Sequence, residues 1–260
     1  MELNVNAAEH HSEYAKATPF PHIQLENVFS EAVLNDVLEE FPGPKGIDWI
    51  RFDDPRQKKL GFRVDNELGE KTTRFLHSLN SAPFIQFLEE LTGIRGLIPD
   101  PYFEGGGLHQ ILPGGFLKIH ADFNWHYKLK LHRRINVLVY LNKDWEEEYG
   151  GHLELWDAEM ESCRVKILPT FGKMVVFNTT DYAYHGHPNP LTCPPDRSRK
   201  SIALYYYSSS RPQSEISNAH WTLFKQRQGE DFKETLREKI MRKYMPPALV
   251  DWARNKKHSG

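Results

Sequence analysis

The middle of this chain constrains its fold more than any other part. Between residues 107 and 208, short apolar, β-branched or aromatic runs recur: GLHQIL, FLKIHADF, INVLVYLN, HLELWD, RVKIL, KMVVFNTT, YAYHGH and SIALYYYS. Turn signals separate them, among them Pro113-Gly114-Gly115, Gly150-Gly151 and Pro169-Thr170-Phe171-Gly172. Many short strands closed by Gly/Pro turns are the pattern of an antiparallel sandwich or barrel. No run is long enough to be a buried helix, and none approaches the roughly 18 residues that span a bilayer.

The flanks read differently. The first third is expected to be mostly helical. Ser30 is placed to cap a helix through Phe41, with Val33, Leu34, Val37, Leu38 and Phe41 on one face, stopped by Pro42-Gly43-Pro44. Residues 70–80 and 83–92 read as amphipathic helices, the second ended by Gly93. In the tail, Phe232, Leu236, Ile240 and Tyr244 recur at helical spacing. No linker or repeat divides the 260 residues, so one domain is expected over 1–260. Its parts are a helical section over about 1–100, a β core over about 101–210 and C-terminal helices over about 211–260.

Composition narrows the function. A net charge of -2 gives no reason to expect nucleic-acid binding. The opening MELNVNAAEHHSEYAK lacks the apolar core of a signal peptide, so a cytoplasmic protein without membrane attachment is expected. Cys163 and Cys193 form no C-x-x-C and are expected to be ordinary thiols.

Chemistry enters at LKIHADFN, residues 117–124. In 260 residues with 13 His, an H-x-D triplet arises by chance about 0.6 times, so the triplet alone decides nothing. Strand alternation would put Lys118, His120 and Asp122 on one face, with Leu117 and Ile119 on the other. An imidazole and a carboxylate then converge on a point that suits a divalent metal and needs a third ligand. YHGHPNP supplies His185 and His187 on one strand face. Two histidines with one carboxylate form the facial triad of non-haem Fe(II) oxygenases, which leaves coordination positions open. Zinc catalysis is the rival, but H-E-x-x-H is missing. Further along, Arg199, Ser201, Ala203 and Tyr205 share a face of the strand in RKSIALYYY. A guanidinium facing a barrel interior is costly unless a carboxylate pairs with it. A dicarboxylic co-substrate reaching from the metal would supply one.

These elements together resemble the Fe(II)/2-oxoglutarate-dependent dioxygenases, and within them the prolyl 4-hydroxylase-like group. The resemblance covers about residues 105–210. It rests on H-A-D, LNKDW (141–145), Gly150-Gly151, GKMVVF, His185 and Arg199. LNKDW followed by Gly-Gly is similar to the oxygen-sensing prolyl hydroxylases. The resemblance implies a mainly β protein with flanking helices around a double-stranded β-helix, a jelly-roll or cupin-like core. It implies Fe(II), 2-oxoglutarate and dioxygen, with ascorbate as a candidate stimulant. His120, Asp122 and His185 would hold the metal, His185 being favoured over His187 by the alignment of H-G-H-P-N-P.

By the same resemblance, Arg199 would bind the distal carboxylate of 2-oxoglutarate. Tyr140, Gln110, Asn136 and Ser201 join it as co-substrate contacts, although prolyl hydroxylases carry a tyrosine where Gln110 stands. The implied reaction hydroxylates an unactivated C–H bond. The substrate is either a prolyl residue in a peptide or protein, or a free amino acid, sugar or natural product. A non-catalytic sensor of the same fold is a weaker third reading. Among other residues, His187 reads as a wall residue, His109 and His126 as pocket or surface histidines and Trp145 as structural. Trp125 reads as lining the mouth, Tyr205 or Tyr207 as touching substrate, and residues 46–65 as a lid. The oligomeric state is left open.

Overall fold

The computed structural model describes residues 3–232. Four helices precede the β core: α1 (Ala7–Lys16), α2 (Glu31–Glu39), α3 (Glu70–Leu79) and α4 (Ala82–Thr92). Strands in the first hundred residues are β1 (His22–Leu25), β2 (Ile50–Asp54), β3 (Gln57–Gly61) and β4 (Ile98–Pro99). The core follows as β5 (Gly107–Ile111), β6 (Phe116–Ala121), β7 (Trp125–His126), β8 (Leu131–Tyr140) and β9 (Leu153–Trp156). It continues through β10 (Cys163–Ile167), β11 (Met174–Asn178), β12 (His185–His187), β13 (Arg199–Ser208) and β14 (Leu223–Phe224).

All strand pairs are antiparallel, and the hydrogen-bonded order is β1-β11-β8-β13-β5-β3-β6-β12-β9-β10. This is the expected double-stranded β-helix, a nearly closed jelly-roll barrel. β3 joins its two sides, pairing with β5 through Leu60 and Gly61 and with β6 through Gln57 and Lys58.

Strand alternation divides the larger sheet into two chemical faces. Val137, Val139, Met174, Val176, Ile202, Leu204 and Tyr206 point outward into a core shared with Phe29, Phe75, Phe84 and Leu88 of the helical section. Their alternates on the same strands point into the barrel. Tyr206, wholly buried, donates its hydroxyl to the Leu79 carbonyl (2.7 Å), which ties β13 to the end of α3.

The helical expectations at 70–80 and 83–92 fit α3 and α4 to within a residue or two, with Gly93 in the left-handed conformation (φ 73°) that ends α4. The second helix is shorter than expected, ending at Glu39, and Val33 is 41% exposed, so it lies off the buried face of Leu34 and Val37. Three features lacked a readable signal. α1 is capped by Asn6, whose side chain accepts from Ala8 N (3.2 Å). β1 completes the outer edge of the sheet on β11. Residues 46–65 are not a free lid: they contain the β2–β3 hairpin, woven into the barrel wall.

The described part of the tail contradicts the expectation of helices from about 211. Residues 211–232 hold one 3-10 turn (Gln213–Glu215) and β14, which lies along β6 opposite His120 and Ala121. This strap is held by scattered polar contacts, which leave no periodicity to read. Asn124 Nδ2 donates to Ser217 and to the Asn218 carbonyl, and Lys118 pairs with Glu230 (2.7 Å). The spacing of Leu236, Ile240 and Tyr244 lies outside the described residues.

Phe84 is fully buried, with its ring centroid 5.9–6.2 Å from those of Phe87, Phe29 and Tyr206. Phe84→Ala should therefore cost about 3–5 kcal/mol in urea denaturation, the range for emptying a well-packed aromatic site. A loss under about 1 kcal/mol would mean that the helices are not docked on the sheet as described.

Candidate active site

The barrel interior contains a cavity of about 420 Å³, and His120, Asp122 and His185 stand on its wall. β6 and β12 bring the two histidines opposite each other, with ring centroids 4.4 Å apart. The ligating atoms of the three side chains lie within 4.8 Å of one another.

Backbone carbonyls set the imidazole tautomers. His120 Nδ1 faces the Lys118 carbonyl (2.8 Å) and His185 Nδ1 the Ala183 carbonyl (2.9 Å). Each Nδ1 therefore carries the proton and each Nε2 presents its lone pair, the form a metal needs. His120 Nε2 is 3.6 Å from Asp122 Oδ1, and His185 Nε2 is 3.4 Å from Asp122 Oδ2. Burial pushes the His185 pKa down to about 4, which keeps the ring neutral.

Burial alone would raise the Asp122 pKa, but the Arg133 guanidinium and the two imidazoles outweigh it and hold the carboxyl well below the ordinary range. Arg133 Nη2 (3.0 Å) and Asn136 Nδ2 (2.6 Å) both donate to Asp122 Oδ2. Two neutral nitrogen donors and one ionised oxygen donor, buried together, fit a divalent transition metal. Among the described residues this is the one group of three or more His, Cys, Asp or Glu side chains so placed.

Arg199 is the second feature. It lies buried on the cavity wall, donating from Nε to the Gly151 carbonyl (2.8 Å) and from Nη2 to the Tyr140 hydroxyl (3.2 Å). Burial lowers its pKa, and no acid pairs with it among the described residues. Gly151 is required here. Its φ is +74°, and a Cβ would sit 2.9 Å from Arg199 Cδ and 2.6 Å from Leu191 Cδ2.

The sequence-predicted residues divide as follows. His120, Asp122, His185, Arg199, Asn136 and Ser201 line the cavity, and the Tyr140 hydroxyl reaches it through Arg199. Gln110 does not. The register of β5 turns it into the wall, where its Nε2 donates to Ser198 Oγ (2.8 Å), and the β5 side chains facing the cavity are His109 and Ile111. A one-residue offset in a strand reverses the face, and a loop of unknown length between β5 and β6 makes such an offset easy.

Strict alternation also fails along β6. His185 faces His120 while His187 faces Leu117, so β6 has one extra residue between the pairs. Leu117 and His120 therefore both reach the cavity, and Lys118 turns to Glu230 and the Pro188 carbonyl.

Other expected positions are plain in the structure. His187 lines the cavity with neither ring nitrogen bonded among the described residues. His126 is a structural clamp as well as a wall residue, accepting from Leu129 N at Nδ1 and facing Asp100 at Nε2 (3.3 Å). Trp145 is buried and donates to the Gly150 carbonyl, Trp125 and Tyr205 line the cavity, and Tyr207 packs on His126.

Two residues escaped sequence reasoning. Arg133 is sandwiched between Phe123 and Tyr205, its guanidinium carbon 4.3 and 3.4 Å from their ring centroids. Lys59 projects into the cavity from the hairpin. Neither sits in a motif, and the Arg133-Arg134 doublet reads as a charged strand end.

The family model of the 2OG-Fe(II) oxygenase superfamily matches residues 106–207, the stretch that carries this site. Those residues belong to that superfamily. The protein is a 2-oxoglutarate-dependent dioxygenase, with Fe(II) and 2-oxoglutarate as its metal and co-substrate.

Solved structures of the same fold include a Pseudomonas putida prolyl-4-hydroxylase, 15% identical with a TM-score of 0.56, covering 78% of this chain and 100% of that one. A Trichoplax adhaerens prolyl hydroxylase bound to a fragment of the hypoxia inducible factor oxygen degradation domain is 18% identical (TM-score 0.53; 77% and 89% covered). HygX from Streptomyces hygroscopicus, solved with nickel, 2-oxoglutarate and hygromycin B, is 11% identical (TM-score 0.53; 83% and 96% covered). No curated protein matches the sequence.

The donor geometry generates a direct test. Titration with Co(II), read by its visible spectrum, should show one site in the wild type and none in Asp122→Ala or His185→Ala. His187→Ala should keep the site. Loss of cobalt binding in His187→Ala with retention in His185→Ala would move the third ligand by two residues.

Proposed function

We propose that His120, Asp122 and His185 hold Fe(II), that Arg199 with Tyr140 holds the distal carboxylate of 2-oxoglutarate, and that the enzyme hydroxylates a prolyl ring carbon. The observation that carries the assignment is Arg199, a buried guanidinium that no carboxylate pairs with among the described residues, on the same cavity as the three proposed ligands. Burying such a charge is expensive unless an anion completes it, and a planar fork suits a carboxylate.

The metal, once bound, supplies with dioxygen the oxidising chemistry that no side chain can. In the balanced reaction one oxygen atom enters the substrate C–H bond as hydroxyl. The other leaves in succinate, and the keto acid loses carbon dioxide. The protein's part is placement. Asn136 and Arg133 fix the Asp122 carboxylate, the Lys118 and Ala183 carbonyls fix the imidazoles, and Gly151 and Tyr140 aim Arg199. Arg133 Nη1 is buried without a partner among the described residues and offers an N–H to a substrate carbonyl.

The prolyl reading is supported by the likeness of LNKDW-x₄-Gly-Gly to the prolyl hydroxylases and by a fold shared with two of them. A second reading, hydroxylation of a small molecule, is favoured by the enclosure of the cavity. The β2–β3 hairpin and Trp221, Thr222 and Phe224 of the strap wall it, as well as the barrel.

Removing one partner of a buried ion pair costs about 3–5 kcal/mol. At about 1.4 kcal/mol per decade, Arg199→Ala should weaken 2-oxoglutarate by at least about a hundredfold while metal binding stays near wild type. Arg199→Lys should recover only part, since an ammonium restores charge without the fork. Paired titrations of metal and 2-oxoglutarate on both variants decide it. Unchanged 2-oxoglutarate affinity in Arg199→Ala would assign the co-substrate to another cation.

A further inference from the structure

The charges on the cavity wall do not balance. The basic side chains there are Arg56, Lys59, Lys128, Arg133 and Arg199, and the acidic ones are Glu104 and Asp122. Arg56 pairs with Asp54 (3.4 Å), Lys128 with Glu104 (3.3 Å) and Arg133 with Asp122 (3.0 Å). Among the described residues, Lys59 and Arg199 are left without an acid. In the proposed function one end of 2-oxoglutarate goes to the metal and the other to Arg199. Nothing in that assignment neutralises Lys59.

The position of Lys59 is built. β3 alternates so that Gln57, Lys59 and Gly61 face the cavity while Leu60 joins the core behind. The strand is held on both sides, by β5 and by β6, so the ammonium is presented from a fixed backbone. Phe52, its cross-strand partner in β2, packs under it, with Nζ 5.3 Å from the ring centroid. Burial draws the Lys59 pKa down to about 8, with Arg199 and Arg133 adding to the fall and Asp122 opposing it. A cation so placed is destabilised until an anion reaches it.

The histidines alongside can complete such a contact. His187 faces the cavity with neither ring nitrogen partnered among the described residues, so its one N–H can donate to a ligand there. His109 spends Nε2 on the Gly105 carbonyl (3.1 Å) and leaves Nδ1 as an acceptor.

We propose that Lys59, with the His187 N–H, forms an anion subsite that selects substrates carrying a carboxylate or phosphate group. The inference rests on the 2-oxoglutarate assignment of the same cavity and deepens it. Internal peptide prolines without a nearby acid are then poor substrates. The favoured ones are small carboxylates or phosphates, or a proline whose own carboxylate is free.

The test uses the full chain loaded with Mn(II) and saturating 2-oxoglutarate, titrated with acetate and with inorganic phosphate by calorimetry. One site of millimolar affinity is expected for at least one of the two, and the arm that binds identifies the group. Lys59→Met should weaken it at least about tenfold, Lys59→Arg should largely restore it, and both variants should bind Mn(II) and 2-oxoglutarate as the wild type does. Neither anion binding to the wild type, or equal binding to Lys59→Met, overturns the subsite. Anions that bind only by displacing 2-oxoglutarate would assign Lys59 to the co-substrate and overturn it too. If Mn(II) and 2-oxoglutarate themselves fail to bind, the parent assignment falls first, and that outcome is read before any anion is added.

Discussion

The site depends on one buried charge, the carboxylate of Asp122. An isolated carboxylate in a barrel interior would protonate rather than stay ionised. Here Arg133 and Asn136 both donate to its Oδ2, and Arg133 also donates twice to Asn136 Oδ1 (2.6 and 3.1 Å). The three side chains form a closed knot in which each fixes the others, and Phe123 and Tyr205 clamp the guanidinium on its two sides. Oδ1 is left to face His120. Much of the inner surface of β8 and β13 can be understood as support for this knot. Breaking it by removing Arg133 would leave a buried charge uncompensated, a change costlier than the loss of its hydrogen bonds.

Strand alternation sets where such a knot can exist. Each long strand of the larger sheet sends one face to the helices and the other to the cavity, so a polar interior and an apolar exterior come from the same residues in turn. The departure from alternation falls at the proposed metal ligands. The extra residue in β6 between Leu117 and His120 re-aims that strand locally, which is a recurrent use of bulges beside active sites. It turns Lys118 away to anchor Glu230 in the strap, and so couples the ligand strand to the segment that covers it.

What was legible in the sequence was whatever is local or lies in one strand. The eight β runs each produced a strand because turn residues bound them. His120 with Asp122, and Arg199 with Ser201, were readable because residues two apart share a face. What was not legible depends on how distant segments meet. Gln110 was placed by counting back through a loop, and a count does not reveal the face. Arg133 looks like any charged strand end until Phe123 and Tyr205 close on it. The β2–β3 hairpin reads as a polar loop, yet its pairing with both β5 and β6 makes it the seam of the barrel. The strap at 217–224 carries almost no pattern, since polar contacts and one short strand hold it.

These non-local pieces are also where specificity resides. The proposed triad and Arg199 come from the barrel and, in the roles proposed, would serve any reaction in which 2-oxoglutarate meets a metal. The hairpin and the strap add Phe52, Lys59, Trp221 and Phe224, which face whatever enters from outside. Phe224 packs on His120, with ring centroids 5.5 Å apart, and the Arg56 guanidinium carbon lies over the Phe224 ring, 5.1 Å from its centroid. Such walls exclude water and so lower the local dielectric, which strengthens every charge contact inside. A lysine in this setting discriminates more sharply than one in solvent: an anion that reaches it is held in a poorly screened field, and a neutral ligand leaves its desolvation cost unrelieved. A barrel that carries the chemistry and added segments that carry selectivity are separable in this way, and the same fold is seen with a peptide fragment bound in one solved structure and hygromycin B in another.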